Sequence, residues 1–225
     1  MTRLFAYAVA LLITPATGRT QAAGTVLTSS EISSEHLLRR PVPVEGRDWL
    51  GLSVSGERSV LESVQLEWVG AVMFEDSVFT LSVASTPPHL LIADVPQVAA
   101  GPATTVVEFE TSLSPDARSL PIAFGTDVYE LELGGSDPML CDAQVTLTDG
   151  RVSQTLYVPD YSILSCDEPH FSVQWAGDLD GDGRLDLVTT FSPKYSFYPR
   201  RLYLSSAAPA GMLVGLVAVF DLAAA

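Results

Sequence analysis

One short stretch of the sequence has residue types and spacing suited to holding a metal ion. In "GDLDGDGRLDLV", Asp178, Asp180 and Asp182 occupy alternate positions between two apolar runs. Calcium is a hard cation that takes six to eight oxygen ligands at roughly 2.3 to 2.6 Å. A short loop supplies them when every second side chain turns inward. The spacing therefore predicts a calcium-binding loop.

The rest of the loop matches the calcium-loop pattern except at its last position, position 12. Gly183 occupies position 6, where a sharp turn favours a residue without a Cβ. Arg184 follows at position 7, where the backbone carbonyl is the ligand, and Asp186 at position 9 closes the shell directly or through water. Position 12 holds Thr189 in place of a bidentate glutamate. We therefore expect a modest affinity, with a Kd of ~10⁻⁴ to 10⁻³ M.

Two alternatives to calcium stay open at this point. The stretch could be an acidic, glycine-rich turn without an ion, although each close pair of carboxylates then costs about 1 kcal/mol even in a watery environment. Magnesium fits less well, because it prefers fewer protein ligands and a tighter octahedral geometry.

The stretch "WAGDLDGDGRLDLV" resembles the calcium loop of FG-GAP or VCBS-type repeats, over about residues 175–191. In that family the loop lies between β-strands, so the resemblance implies a strand-loop-strand calcium site. It implies that the ligands are Asp178, Asp180, Asp182, the Arg184 carbonyl and Asp186. A single copy cannot build a propeller of several blades, so the resemblance transfers an ion site and not a fold. The remainder of the chain resembles uncharacterised exported bacterial proteins.

The first 23 residues differ in composition from those that follow. Arg3 precedes an apolar run of about ten residues, and small residues follow up to Ala23. This composition predicts a secretory signal peptide cleaved after Ala22 or Ala23. The run is too short for a membrane anchor, which needs ~20 residues in a helix. We therefore predict an exported protein (periplasmic, cell-surface or extracellular) with no integral membrane segment after signal removal.

The chain is strongly acidic. Its formal net charge is -15, and losing Arg3 and Arg19 with the leader would change it to -17. Lys194 is the single lysine, and no basic patch is present to neutralise phosphates. The composition argues against nucleic acid and anionic membranes as partners, and favours cations.

The chain has two cysteines, Cys141 and Cys166. In an oxidising compartment we expect them to form a disulfide. A zinc site that also used His170 is the alternative, but it lacks a fourth ligand and paired C-x-x-C spacing.

Short apolar stretches with a period of two begin at Trp49, separated by Gly, Pro, Ser or Asp. This pattern predicts an all-β fold, an antiparallel sandwich or barrel. Residues 24–48 are predicted to be an arm or linker with a short helix at 34–40, and residues 49–225 a β-rich domain with a subdivision near 160 left open. The predicted strands are residues 49–55, 63–74, 77–84, 89–95, 104–111, 128–134, 143–148, 151–158, 171–177, 184–191, 200–206 and 212–222.

A cluster of aromatic and cationic residues follows the aspartate loop. Tyr195, Phe197, Tyr198 and Arg200 form a candidate recognition surface for a protein or carbohydrate ligand. The alternative is that half of these rings belong to the core.

The sequence contains little that indicates catalysis. The imidazoles are those of His36, His89 and His170, and no G-x-S-x-G elbow is present. We predict an exported calcium-binding β-domain protein, a non-catalytic binding or structural module whose aspartate loop is rigidified by Ca²⁺. The alternative is a secreted hydrolase with a purely structural calcium site, which would need a cleft with convergent titratable groups.

Overall fold

The computed structural model describes residues 22–32, 46–55, 58–73, 76–83, 86–108, 110–161 and 165–223, and this part of the chain is nearly all β. One short helix, α1 (Ser29–Ile32), follows the first strand. The strands are β1 (Thr25–Thr28), β2 (Trp49–Ser55), β3 (Arg58–Val64), β4 (Leu66–Met73), β5 (Asp76–Val83), β6 (Leu90–Ala93), β7 (Gly101–Val107), β8 (Thr111–Leu113), β9 (Ser119–Phe124), β10 (Asp127–Leu133), β11 (Val145–Thr148), β12 (Ser153–Tyr157), β13 (His170–Asp178), β14 (Asp186–Ser192), β15 (Phe197–Leu204) and β16 (Gly215–Ala223).

The largest sheet curls into a nearly closed barrel. Its strand order is β1-β6-β2-β3-β7-β13-β14-β15-β16, and β8 adds a further pairing to β13. Gly24 almost completes the circle, because its N–H donates to the Val217 carbonyl (3.1 Å) and its own carbonyl accepts from the Val219 N–H (3.1 Å). Strands from before and after residue 160 therefore share one sheet, and the described residues show no division there.

The barrel interior holds one hydrophobic core, whose side chains alternate along the strands. On β6, Leu90 and Ile92 point inward, while Leu91 and Ala93 point outward to a different cluster. The indole N–H of Trp175 donates to Thr105 Oγ1 (2.9 Å), which satisfies the polar edge of this buried ring. The interior core consists of Val26, Leu52, Leu61, Leu90, Ile92, Val95, Val98, Trp175, Leu179, Val188, Leu202, Leu204 and Ala218.

A second sheet packs on the outside of the barrel and makes part of the molecule a sandwich. Its order is β12-β11-β10-β9. Side chains such as Leu131 and Leu147 from this sheet join Phe171 and Leu187 from β13 and β14 in a shared core. The predicted sandwich and the predicted barrel thus coexist, joined through the same central strands.

The antiparallel hairpin β4–β5 packs on another outer face of the barrel. Leu81 of the hairpin lies in a cluster with Leu27, Trp49 and Leu91. Three layers result: the hairpin, the barrel and the four-stranded sheet.

The predicted disulfide is present. Cys141 and Cys166 are bonded, with Cα atoms 5.7 Å apart, and this pairing excludes the zinc alternative at these residues. The bond links the connection between β10 and β11 to the segment just before β13. With a sequence separation of 25, the chain-entropy model assigns it about 3.5 kcal/mol of stabilisation.

The predicted strands mostly match observed ones, including the hairpin at Asp149 and Gly150 between β11 and β12. Gly150 has φ +82°, which the tight turn requires. The differences concern missed or divided strands, and residues 58–62, which begin β3, lie in no predicted strand. The predicted strand 63–74 is divided at Gln65 into the end of β3 and β4, and the predicted strand 104–111 is divided into β7 and β8. The sequence did not reveal β9, because Pro121 interrupts its pattern. Proline is tolerated there because β9 lies at the edge of its sheet.

The predicted arm over residues 24–48 is wrong for Thr25–Ile32. β1 pairs with β6 from Thr25 opposite Ala93 to Thr28 opposite Leu90, and Val26 and Leu27 are fully buried. The polar flanks concealed this short apolar strand. The predicted helix at 34–40 and the signal peptide up to residue 21 lie outside the described residues.

Among the described residues, no helix is long and apolar enough to cross a membrane. The apolar C-terminal segment forms β16, a strand as predicted.

Candidate metal centre

The aspartate loop connects two central strands of the barrel. Asp178 is the last residue of β13 and Asp186 the first residue of β14, so the register of this strand pair fixes both ends of the loop. Gly177, just before the loop, also lets β13 approach β7: a Cβ there would lie 1.8 Å from the Thr104 carbonyl oxygen. The loop therefore starts from a rigid position.

Backbone turns bring the carboxylates inward. Asp178 Oδ1 accepts from the Gly181 N–H (2.7 Å), and its Oδ2 accepts from the Gly183 N–H (2.9 Å). Gly181 and Gly183 have φ values of +79° and +77°, which L side chains rarely adopt. The predicted turn at Gly183 is confirmed.

Three of the predicted ligands form one group. Asp178, Asp180 and Asp186 each place a carboxylate oxygen within 4.8 Å of the others. Asp186 is 0% exposed and Asp178 is 9% exposed. A group of three carboxylates in this arrangement could bind a metal ion.

Asp186 is in an electrostatically unfavourable place for an anion. Burial raises its pKa, the N–H groups of Ser205 (2.8 Å) and Leu179 (2.8 Å) lower it, and the charges of Asp180 and Asp182 raise it again, for a net value of about 7. Two hydrogen bonds do not offset the loss of water and the repulsion. A cation among the carboxylates would remove this cost.

Asp182 lies outside the three-carboxylate group and makes different contacts. Its Oδ2 accepts from the Arg184 guanidinium (Nη2, 2.8 Å) and from Ser205 Oγ (2.8 Å), and its Oδ1 accepts from the Arg184 N–H (2.8 Å). Partial burial raises the pKa of Asp182, but these hydrogen bonds and the charge of Arg184 outweigh it and lower the pKa overall. Direct ligation by Asp182, and by the Arg184 carbonyl, stays a prediction.

Sequence reasoning missed two serines that cover the loop. Ser205 and Ser206 follow β15, and Ser205 contacts Asp182 and Asp186, as described above. Ser206 Oγ donates to Asp180 Oδ2. The pairing of β15 with β14 brings the end of β15 beside the start of β14, so two adjacent serines at that end were the available signal.

The donor set fits a hard cation. Each oxygen of an ionised carboxylate offers about two acceptor sites. In Asp178 and Asp186 each oxygen accepts one backbone N–H, so each keeps capacity for a metal. The group consists of oxygen donors only, which suits calcium, magnesium or manganese better than zinc or copper.

The predicted recognition cluster is divided by the pleat of β15. Tyr198 and Arg200 point to the mouth of the barrel, whereas Phe197 lies on the opposite face, beside a separate cavity next to Tyr157 and Tyr203. Tyr195 precedes the strand and is 52% exposed. The four residues therefore do not form one surface, because successive side chains of a strand face opposite sides.

Comparisons of the chain with protein-family models, curated proteins and solved structures found no match. The resemblance of the aspartate loop to FG-GAP or VCBS-type repeats therefore stays a prediction, resting on its residues alone.

Proposed function

We propose that this is an exported calcium-binding β-domain protein, a non-catalytic binding or structural module in which Ca²⁺ rigidifies the aspartate loop. One observation carries the proposal: Asp186 is fully buried beside Asp178 and Asp180, so three carboxyl groups converge. Among the described residues, the ion pairs of this loop involve Asp182 alone, which pairs with Arg184. A divalent cation would supply the missing positive charge.

Calcium is preferred to magnesium on geometry. Magnesium requires near-ideal octahedral coordination and keeps several waters, whereas calcium accepts many protein oxygens in a flexible arrangement. A loop with three converging carboxylates and a fourth nearby, at Asp182, suits the larger ion.

The proposed role of the ion is structural. The carboxylates belong to β13, the loop and β14, and Ser205 and Ser206 connect them to the end of β15. An ion bound here would fix the ends of three neighbouring barrel strands. It would stabilise the folded state by RT ln(1 + [Ca²⁺]/Kd), about 2.7 kcal/mol at a hundredfold excess over Kd.

Calorimetric titration of the full chain with calcium tests the proposal, using Asp180→Asn as the site variant. Asp116→Asn is the matched control, since Asp116 is an exposed aspartate of a loop outside the site. We expect the control to bind like the unmodified protein and the site variant to bind at least tenfold more weakly, because charged ligand oxygens contribute most of the attraction. Absence of heat from the unmodified protein refutes the proposal, and equal heats from all three proteins locate binding elsewhere.

The secreted hydrolase remains the second candidate. It is favoured by one specific observation, the group of titratable side chains at the opposite mouth of the barrel. Hydrolysis of chromogenic glycoside or ester substrates by the calcium-loaded protein, lost in Glu108→Gln, would support it over the non-catalytic module.

A further inference from the structure

The barrel mouth opposite the aspartate loop contains a cavity of about 410 Å³. His170, at the start of β13, lines one side, and Glu108, after the end of β7, lines another. Glu110, between β7 and β8, and His89, just before β6, complete the ionisable rim. Ligand sites commonly have volumes in this range and commonly lie in the mouths of β-barrels.

The floor of the cavity is electrically neutral. Arg200 lines it, and Glu31 of α1 lies behind, 0% exposed, with Oε1 2.7 Å from Arg200 Nη2 and 3.1 Å from Arg200 Nε. Arg200 also donates through Nη1 to Thr190 Oγ1. The positive charge of Arg200 is therefore committed to the fold and does not attract an anionic ligand.

A backbone hydrogen bond fixes the tautomer of His89. Its Nδ1 accepts from the Val54 N–H (3.2 Å), so the ring proton must be on Nε2, which lies 3.5 Å from Glu108 Oε1. The backbone thereby orients the imidazole toward the carboxylate.

His170 presents a polar atom whose bonding capacity the chain does not use. Its Nε2 is buried without a hydrogen-bond partner among the described residues. Burial lowers the pKa of His170, Glu110 raises it and Arg200 lowers it, so that the net pKa falls below the usual value and the ring is neutral at pH 7. A buried, unpaired polar atom is costly, and because Nε2 is closed to solvent this cost belongs to the fold and is not a contact for a ligand.

The net charge of the cavity is negative. Glu31 and Arg200 neutralise each other, so Glu108 and Glu110 supply two negative charges. Among the described residues, no arginine or lysine forms an ion pair with either glutamate. A cation is attracted here and an anion is repelled, as also follows from the formal net charge of -15.

The cavity is shaped for a molecule and not for a bare ion. The metal-like grouping found among the described residues is that of the aspartate loop, so these carboxylates and imidazoles do not converge tightly enough on one point. Hydroxyl and amide groups make up much of the remaining lining, including Thr28, Ser29 and Gln174. Gln174 donates its amide N–H to Ser172 Oγ (2.7 Å), and its amide oxygen adds an acceptor to the lining. Such groups exchange hydrogen bonds with alcohols.

We propose that this cavity is a binding site for a small hydroxylated amine, of which an amino sugar is the simplest example. Glu108 and Glu110 attract the protonated amine. The Gln174 amide oxygen and the exposed Ser29 hydroxyl bond the hydroxyl groups. The site is independent of the aspartate loop, which lies at the other end of the barrel.

Three sugars of similar size and different charge test this proposal: glucosamine, glucose and glucuronate. Each is titrated into the isotopically labelled full chain at saturating calcium, and backbone amide shifts are followed by NMR. We expect glucosamine to bind with shifts centred on Leu90 and His170. Glucose should bind at least fivefold more weakly, because each carboxylate within about 4 Å contributes about a fivefold factor even in water. Glucuronate should not bind.

Glu108→Gln and Glu110→Gln are the site variants, and Glu132→Gln, an exposed glutamate of β10, is the control. Each site variant should lose about fivefold in glucosamine affinity and leave glucose affinity nearly unchanged. The control should match the unmodified protein, and the spectra themselves report whether each variant is folded. Equal affinity for glucosamine and glucose, preference for glucuronate, shifts remote from the cavity, or no binding at all would each overturn the proposal.

Discussion

The two ends of the barrel each bury a carboxylate completely, and the surroundings of the two differ. Asp186 and Glu31 are both 0% exposed. Burial raises the pKa of Asp186 to about 7. Burial also acts to raise the pKa of Glu31, but the charge and hydrogen bonds of Arg200 and the hydrogen bonds from Thr28 outweigh it, so this pKa is lowered.

The difference shows which buried carboxylate is neutralised by a cationic side chain of the protein itself. A buried carboxylate is tolerated when a cation and enough donors compensate the water it has lost. At the mouth of the barrel that cation is Arg200, covalently part of the fold. At the aspartate loop, Asp186 has backbone N–H groups only, and the proposed cation must come from solution. One end is therefore complete on folding, while the other would be completed by the proposed ion from solution.

Removing Arg200, the cation that the fold itself supplies, should have the largest effect on the free energy of unfolding. Arg200→Met leaves Glu31 buried without its partner, and we expect the free energy of unfolding to fall by about 3 to 5 kcal/mol. Urea denaturation at saturating calcium measures it. Arg201→Met is the neighbouring control, because Arg201 pairs with the half-exposed Asp221 (2.6 Å) and should cost under about 1 kcal/mol. Similar losses in both variants would show that the Glu31–Arg200 pair is not special.

Removing the proposed calcium ion should have the next largest effect on the free energy of unfolding. We expect a chelator to lower the free energy of unfolding by about 2.7 kcal/mol relative to calcium at a hundredfold excess over Kd. Arg201→Met should retain this difference and Asp180→Asn should lose most of it, because distant sites contribute independently. A melting temperature that does not change on adding chelator would show that calcium does not stabilise the fold.

The pH dependence of stability should reveal the lowered pKa of Glu31. Since this pKa lies below the ordinary glutamate value of 4.5, the unfolded chain takes up the proton first as the pH falls. The contribution of Glu31 is thus fully present above pH 4.5 and is lost as the pH falls through its folded-state pKa. Unfolding free energy should therefore decline more steeply below pH 4.5 in the unmodified protein than in Glu31→Gln/Arg200→Met. Parallel curves, measured by denaturation in chelator, would contradict the assignment.

The smallest expected effect concerns Arg184. Arg184→Met removes a positive charge near the loop and releases Asp182 from its ion pair, so calcium should bind about fivefold more tightly. Calorimetric titration measures the gain, and adding Asp182→Asn should abolish it. A gain that survives Asp182→Asn would mean that Asp182 is not recruited as a ligand.

Local chemistry made the aspartate loop predictable. The alternation of aspartates and the glycine at position 183 specify a turn within a few residues, and the observed φ of Gly183 agrees. Two cysteines allow one intramolecular bond, which is present. Period-two patterns located most strands, because one face of each is buried.

Contacts between distant segments could not be predicted in this way. Glu31 and Arg200 are 169 residues apart, and the sequence around either residue does not indicate that the two form an ion pair. Ser205 reaches the aspartate loop only because β15 pairs with β14 in one register. The pleat of β15 places Tyr198 and Phe197 on opposite faces, which a count of neighbouring aromatic residues does not show.

Barrel closure at Gly24 has a consequence for the time course of folding. The strand segment that starts at Gly24 meets β16 at Ala218, so the last seam joins partners separated by most of the polypeptide. A ribosome must therefore release β16 before the seam can form, and until then both edges expose unpaired backbone groups. Closure of the barrel is therefore a long-range step, and pairing between distant strands is intrinsically slow.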